Sequence, residues 1–279
     1  MPNPYGTGAN KSPTDIRTFT YAPMTAGLKG GARYLPEDIE HQHKVGICTG
    51  ISLTQNARKV LKTPFSMDFQ YLCQKKFYDK NWDEGSSIFS ALRVGKNIGF
   101  VPAIEWTHTT EEDRKLPYHL YIEKLKQVPD SEIERLKEIA KQYRVVAYAR
   151  TPAVSEWIKD AVDSTDNGIL ARFDLGSEWW TSPIEPLRKP KILISGHAVT
   201  ISNYAGGSYR IANTWGKDWA DKGTAYTTFD SYMPTEAWLV WFKKEDVPEE
   251  VKRQIENRDK LIGRIADMLQ AIISLINKK

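Results

Sequence analysis

The chain has 279 residues, 41% of them apolar and 11% aromatic, enough to bury a sizeable core in one large or two small domains. Acids and bases are interspersed at a net charge of +4, so no basic stripe marks a nucleic-acid partner. Two cysteines exclude a disulfide framework and suit a reducing compartment, cytoplasmic or a virus particle assembled in one.

Residues 1–33 are rich in Gly, Pro, Thr and Asn and predict an extended arm. They open with Met-Pro-Asn-Pro-Tyr-Gly, which lacks the basic and apolar regions of a secretory signal peptide. Helices are expected over 48–61, 66–78 and 86–97, with Ser86 and Ser87 as cap candidates for the third. Phe69, Leu72, Cys73 and Phe77 share a helical face, so Cys73 reads as a buried structural thiol. Residues 100–106 read as extended and 107–129 as a polar surface excursion. A charged helix over 130–143, a short strand over 144–148 and a helix over 152–162 with Pro at its first turn follow. Strands are expected over 168–175, 191–195, 197–204, 208–213, 224–229 and 237–242, with Gly206-Gly207 as a hairpin turn. Helices first and strands afterwards predict an α+β fold. From Pro248 an amphipathic helix is expected to run to Lys279, with Ile255, Ile262, Ile265, Leu269, Ile272 and Ile276 on one seam, which predicts oligomer or partner contact. No apolar run reaches the length of a transmembrane helix, about 18 residues or more.

Three residue types carry chemistry. Cys48 opens the first helix, with Gly46 permitting the turn into it. His197 and Asn213 follow far downstream, in Gly196-His-Ala198-Val and Asn213-Thr-Trp215-Gly. A thiol attacks an acyl carbon as thiolate, and a helix N-terminus and a nearby imidazole both favour that anion. Asn213 would bond one imidazole nitrogen and turn the other toward Cys48. The side-chain amide of Gln42, six residues before Cys48, and the Cys48 backbone N–H would be the oxyanion donors. His41 and His43 flank Gln42 and could form part of a zinc site, but a loop needs no such explanation.

With Gln42, Cys48, His197 and Asn213 in this order, the chain resembles the papain family of cysteine peptidases. The family's Asn-Ser-Trp-Gly is matched by Asn213-Thr-Trp215-Gly216, followed by Trp219 and Gly223-Thr-Ala-Tyr. Departures are Val45 in place of a disulfide-forming cysteine, Thr49 in place of Trp, Gly196 before the histidine, and Glu84-Gly85 where many members have two glycines. The resemblance implies a papain-like two-lobed fold, a helical lobe bearing the cysteine and a β lobe bearing the histidine and asparagine, here with the C-terminal amphipathic helix added. It implies an arm over 1–33, a peptidase domain over 34–244 and a helix over 245–279. Glu84, Gly85, Ser86, Ala198 and Trp215 would line the substrate cleft, Trp215 also covering the Asn–His bond. The expected reaction is hydrolysis of protein or peptide substrates through a Cys48–His197 ion pair and a thioester, with no metal or organic cofactor. A long helical propeptide does not fit in the residues before Cys48. The alternatives are a papain-fold binding or structural protein with cleavage weak or lost, such as a virus-particle component, and an amidase or transpeptidase using the same triad.

Overall fold

The computed structural model describes residues 4–13, 20, 34–181, 186–205 and 207–276. A two-residue strand β1 (Ala9–Asn10) precedes the central helix α1 (Cys48–Leu61). Every α1 residue from Cys48 to Ala57 is buried, and the helix stops where Lys62 turns left-handed and donates its N–H to Arg58. The hydroxyl of Ser66 caps α2 (Met67–Cys73), which continues as a π-helical turn over Gln74–Asp79. Strand β2 (Ser86–Ser87) leads into α3 (Ile88–Asn97), capped by Ser87. Residues 100–106 are extended apart from a 3₁₀ turn at Ala103–Glu105.

The segment 107–129 is not a surface excursion. It carries α4 (Glu111–Arg114) and α5 (Tyr118–Lys126), and Tyr121, Ile122 and Leu125 are buried in the core of the helical lobe. Three apolar positions in two turns suffice for one buried face, and the polar remainder masks them in sequence. α6 (Asp130–Ala140) completes this lobe. Cys73 is fully buried there, and burial pushes its thiol far up.

The second lobe is built on β3 (Ala147–Thr151), α7 (Ser155–Asp163), β4 (Ile169–Leu175), α8 (Glu178–Thr181), β5 (Ser195–Ala205), β6 (Ser208–Ala212), β7 (Thr224–Thr228) and β8 (Glu236–Trp241). The six-stranded sheet runs β3-β8-β4-β5-β6-β7, every pair antiparallel. Three expectations shift, the first being the strand expected over 144–148, which starts at Ala147 and runs on to Thr151 where it pairs with β8. α7 starts at Ser155, after Pro152, and residues 191–194 form no strand: Ile192 is 75% exposed and β5 begins at Ser195. β5 and β6 pair through Ala205 and Ser208; Gly206 lies outside the described residues, so the turn expected there is not described.

Polar contacts join the lobes along α1. Ser52 donates to the Ala198 carbonyl (2.9 Å), and the Asn56 amide oxygen accepts from Tyr34 (2.6 Å) and Thr200 (2.8 Å). The chain ends in α9 (Glu249–Ile276). No helix of the described residues is long and apolar enough to cross a membrane.

Candidate active site

Cys48 is the first residue of α1, at the seam between the lobes. The backbone amides of Ala198, the residue after His197, of Thr49 and of Cys48 itself favour the thiolate, though less than burial disfavours it. The sequence forms this turn because Val45, Gly46 and Ile47 are packed: a Cβ on Gly46 would lie 2.4 Å from the Thr7 carbonyl oxygen. His197 stands on β5, opposite Phe173 of β4. Its Nε2 donates to the Asn213 side-chain oxygen at 2.7 Å, and that oxygen also accepts the Thr214 N–H. The proton is therefore on Nε2, and Nδ1 carries the free lone pair. Nδ1 is buried and has no hydrogen-bond partner among the described residues. The Trp215 ring stacks on His197 at 4.6 Å, and Trp179 meets its edge.

Gln42 is held on both sides of its amide. Its oxygen accepts from the Thr214 hydroxyl (2.6 Å) and its nitrogen donates to the Val45 carbonyl (3.1 Å) and to the carbonyl of Gly6. The Glu84-Gly85-Ser86 loop is tied down by Lys75, which is 1% exposed and donates to Asp79 (3.0 Å), Asn81 (3.0 Å) and the Gly85 carbonyl (2.8 Å). The Tyr71 hydroxyl receives the Gly85 N–H. His41 and His43 stack at 3.8 Å, and His43 pairs with Glu111 at 2.9 Å, so these imidazoles are packed against each other.

Residues 5–12 fill the cleft these groups surround. Tyr5 stacks on Trp215 at 4.7 Å, and Gly6 donates to the His43 carbonyl. Gly8 donates to the Gly196 carbonyl and accepts from Ser86, which makes β1 and β2 a parallel pair. The Ala9 carbonyl accepts from Arg172 (2.7 Å). Ser12 is bound through its N–H and hydroxyl to the buried carboxylate of Glu236, and its hydroxyl also accepts the Phe89 N–H. The fit requires glycine: a Cβ on Gly6 would lie 2.1 Å from the Val45 carbonyl oxygen, and one on Gly8 2.6 Å from the Gly85 Cα.

Burial under this segment sets the electrostatics. It pushes the Cys48 thiol up to about 11 and the His197 imidazole down to about 4, the Asn213 bond opposing the latter in part. Burial thus disfavours the charged form of each group and, with the cleft filled, opposes the ion pair expected from the sequence. The structure brings together Gln42, Cys48, His197, Asn213, Trp215, Ala198 and the Glu84-Gly85-Ser86 loop. Sequence reasoning missed Lys75, Tyr71, Thr214, Arg172 and Glu236; Arg172 and Glu236 act on the distant N-terminal segment, and Thr214, although inside the Asn213-Thr-Trp215-Gly216 motif, acts on Gln42 through an ordinary hydroxyl. A cavity of about 520 Å³ lies elsewhere, between Tyr34, Arg210 and Asp221, and none of the expected site residues lines it.

The architecture is similar to that of xylellain, a cysteine protease from Xylella fastidiosa, at 21% identity and TM-score 0.70 over 86% of this chain and 97% of that one. It is also similar to a procathepsin B from Trypanosoma congolense (15% identity, TM-score 0.58, 86% of this chain and 87% of that one). A digestive procathepsin L 3 from Tenebrio molitor larval midgut matches at 13% identity and TM-score 0.56, over 85% and 76% of the two chains. No protein-family model and no curated protein matches the chain. The likeness shows the fold: α+β, papain-like, with a C-terminal helix.

Proposed function

We propose that this protein is a papain-like cysteine endopeptidase held latent by its own N-terminal residues, with the catalytic domain over 34–244. Cys48 is the nucleophile, His197 the base through Nδ1, and Asn213 the group that fixes the imidazole. Nδ1 of His197 takes the Cys48 thiol proton as the sulfur adds to a peptide carbonyl, and the Gln42 amide and the Cys48 N–H receive the oxyanion. His197 then passes its proton to the leaving amine, the C–N bond breaks and a thioester remains. Water, deprotonated by His197, adds to the thioester; the C–S bond breaks, the acid is released and the sulfur takes the proton back from His197.

The observation that carries this reading is the 2.7 Å His197–Asn213 bond, which leaves a buried, unpartnered Nδ1 on the strand whose next residue, Ala198, is bonded by Ser52 of the helix that Cys48 opens. Support for the oxyanion role comes from the Gln42 amide, which already grips a carbonyl of a chain lying in the cleft. The same filled cleft favours a second reading, a papain-fold scaffold without turnover. An epoxide or vinyl-sulfone thiol trap separates the two. In full-length chain carrying Gly6→Val and Gly8→Val the segment is excluded from the cleft, and Cys48 is expected to label rapidly and stoichiometrically at mildly acidic pH. The Cys48→Ala control stays unlabelled. Labelling of the opened chain no faster than that of a free thiol supports the scaffold. An amidase or transpeptidase would label as well and is told apart by its products.

A further inference from the structure

The first turns of α9 are docked. Val251 is buried and Ile255 packs against the core of the sheet lobe. Further along, the helix leaves this support. Leu261, Ile262, Ile265, Met268, Leu269 and Ile273 are each between 42 and 59% exposed. Together they present on the order of 500 Å² of apolar surface, at the upper end of what a monomer leaves bare.

The pattern of this face says what covers it. Ile262 and Leu269 follow Ile255 in steps of seven, Ile265 comes three after Ile262, and the sequence carries the repeat on to Ile272 and Ile276. A strict seven-residue step suits a helix that winds around a partner of the same period, and another copy of α9 supplies it. Charge agrees. Residues 249–276 hold five acidic and five basic side chains, so the helix does not repel its own copy, and it lacks the strongly basic face that draws a helix to anionic lipid. Isoleucine in both seam positions favours three or four strands over two. Leu261 and Met268 flank the seam and would stay wet in a two-helix coil.

We propose that α9 is an assembly element whose seams, from three or four copies of this chain, close into one helical bundle. Light scattering on the full-length chain at tens of micromolar tests it. The expected mass is three or four times the 31.8 kDa of the monomer. The double substitution Ile262→Asp and Leu269→Asp, at exposed positions, should give a monomer that still unfolds in one cooperative transition. A wild-type monomer overturns the proposal. A twofold mass overturns the stoichiometry, and assembly that persists in the double variant overturns α9 as the surface. A monomer that floats with anionic vesicles assigns the face to lipid and overturns it as well.

Discussion

At the residue scale, each group of the candidate site is set by a partner. Asn213 fixes the His197 tautomer, and Thr214 turns the Gln42 amide so that its N–H₂ points inward. If Gln42 receives the oxyanion, Gln42→Ala in the Gly6→Val, Gly8→Val background loses about 10²-fold in kcat with little change in KM, as expected for a contact made only in the transition state. Steady-state kinetics check this; equal losses through KM would mean that Gln42 only binds substrate. Gln42, Cys48, His197 and Asn213 could be singled out as candidates because acyl transfer needs those side-chain types and motif neighbours surround them. Thr214 was not, since a threonine hydroxyl has many ordinary uses. The direction in which burial shifts Cys48 and His197 was also hidden, because it depends on what covers them.

At the scale of elements, buried polar anchors place the loops. Lys75 continues the α2 spiral and holds the loop from Asp79 to Gly85 from beneath. Lys75→Met leaves Asp79 and a carbonyl without their cation, a loss of about 3 kcal/mol for breaking a buried pair. Denaturant unfolding should show it, and an unchanged midpoint would mean that water replaces the ammonium. The N-terminal segment is anchored differently. Tyr5 lies over Trp215 and against His41, whose pKa falls to about 4 through burial first and the stacked His43 second, with Arg114 adding to the fall and Glu111 and Asp218 opposing it. A depressed histidine favours the docked segment while neutral. Docking is thus at full strength above the solvated value near 6.5 and weakens as pH falls toward 4. Hydrogen-exchange protection of the Gly6 and Gly8 amides, corrected for intrinsic rates, should drop by more than tenfold from pH 7 to pH 5. His41→Asn should lessen the drop and leave the part that the buried His197 contributes, and equal protection at both pH values would refute the coupling. Long periodic elements such as α1 and β4 were readable from pattern. α5 and the non-strand 191–194 were not, because short apolar runs carry no period and only tertiary burial tells them apart.

For the whole molecule, the two lobes meet along α1 through hydroxyls and amides, and the N-terminal segment bridges them, touching Gln42 and Ser86 on one side and Gly196, Arg172 and Glu236 on the other. Closing this seam removes water from His197, which ties the stability of the fold to pH. Its folded value near 4 lies below the unfolded 6.5, so between these values the unfolded chain binds the extra proton. The neutral-histidine contribution is fully present above pH 6.5 and is lost as pH falls from 6.5 to 4, an effect on the order of 3 kcal/mol for this one group. Urea unfolding of wild type at pH 7 and pH 4.5 should show the loss. His197→Gln keeps a donor for Asn213 and cannot charge, so its stability should change less over the same interval, by most of that amount. If both proteins weaken equally on acidification, the penalty arises elsewhere, and the closed seam is not what holds the imidazole neutral.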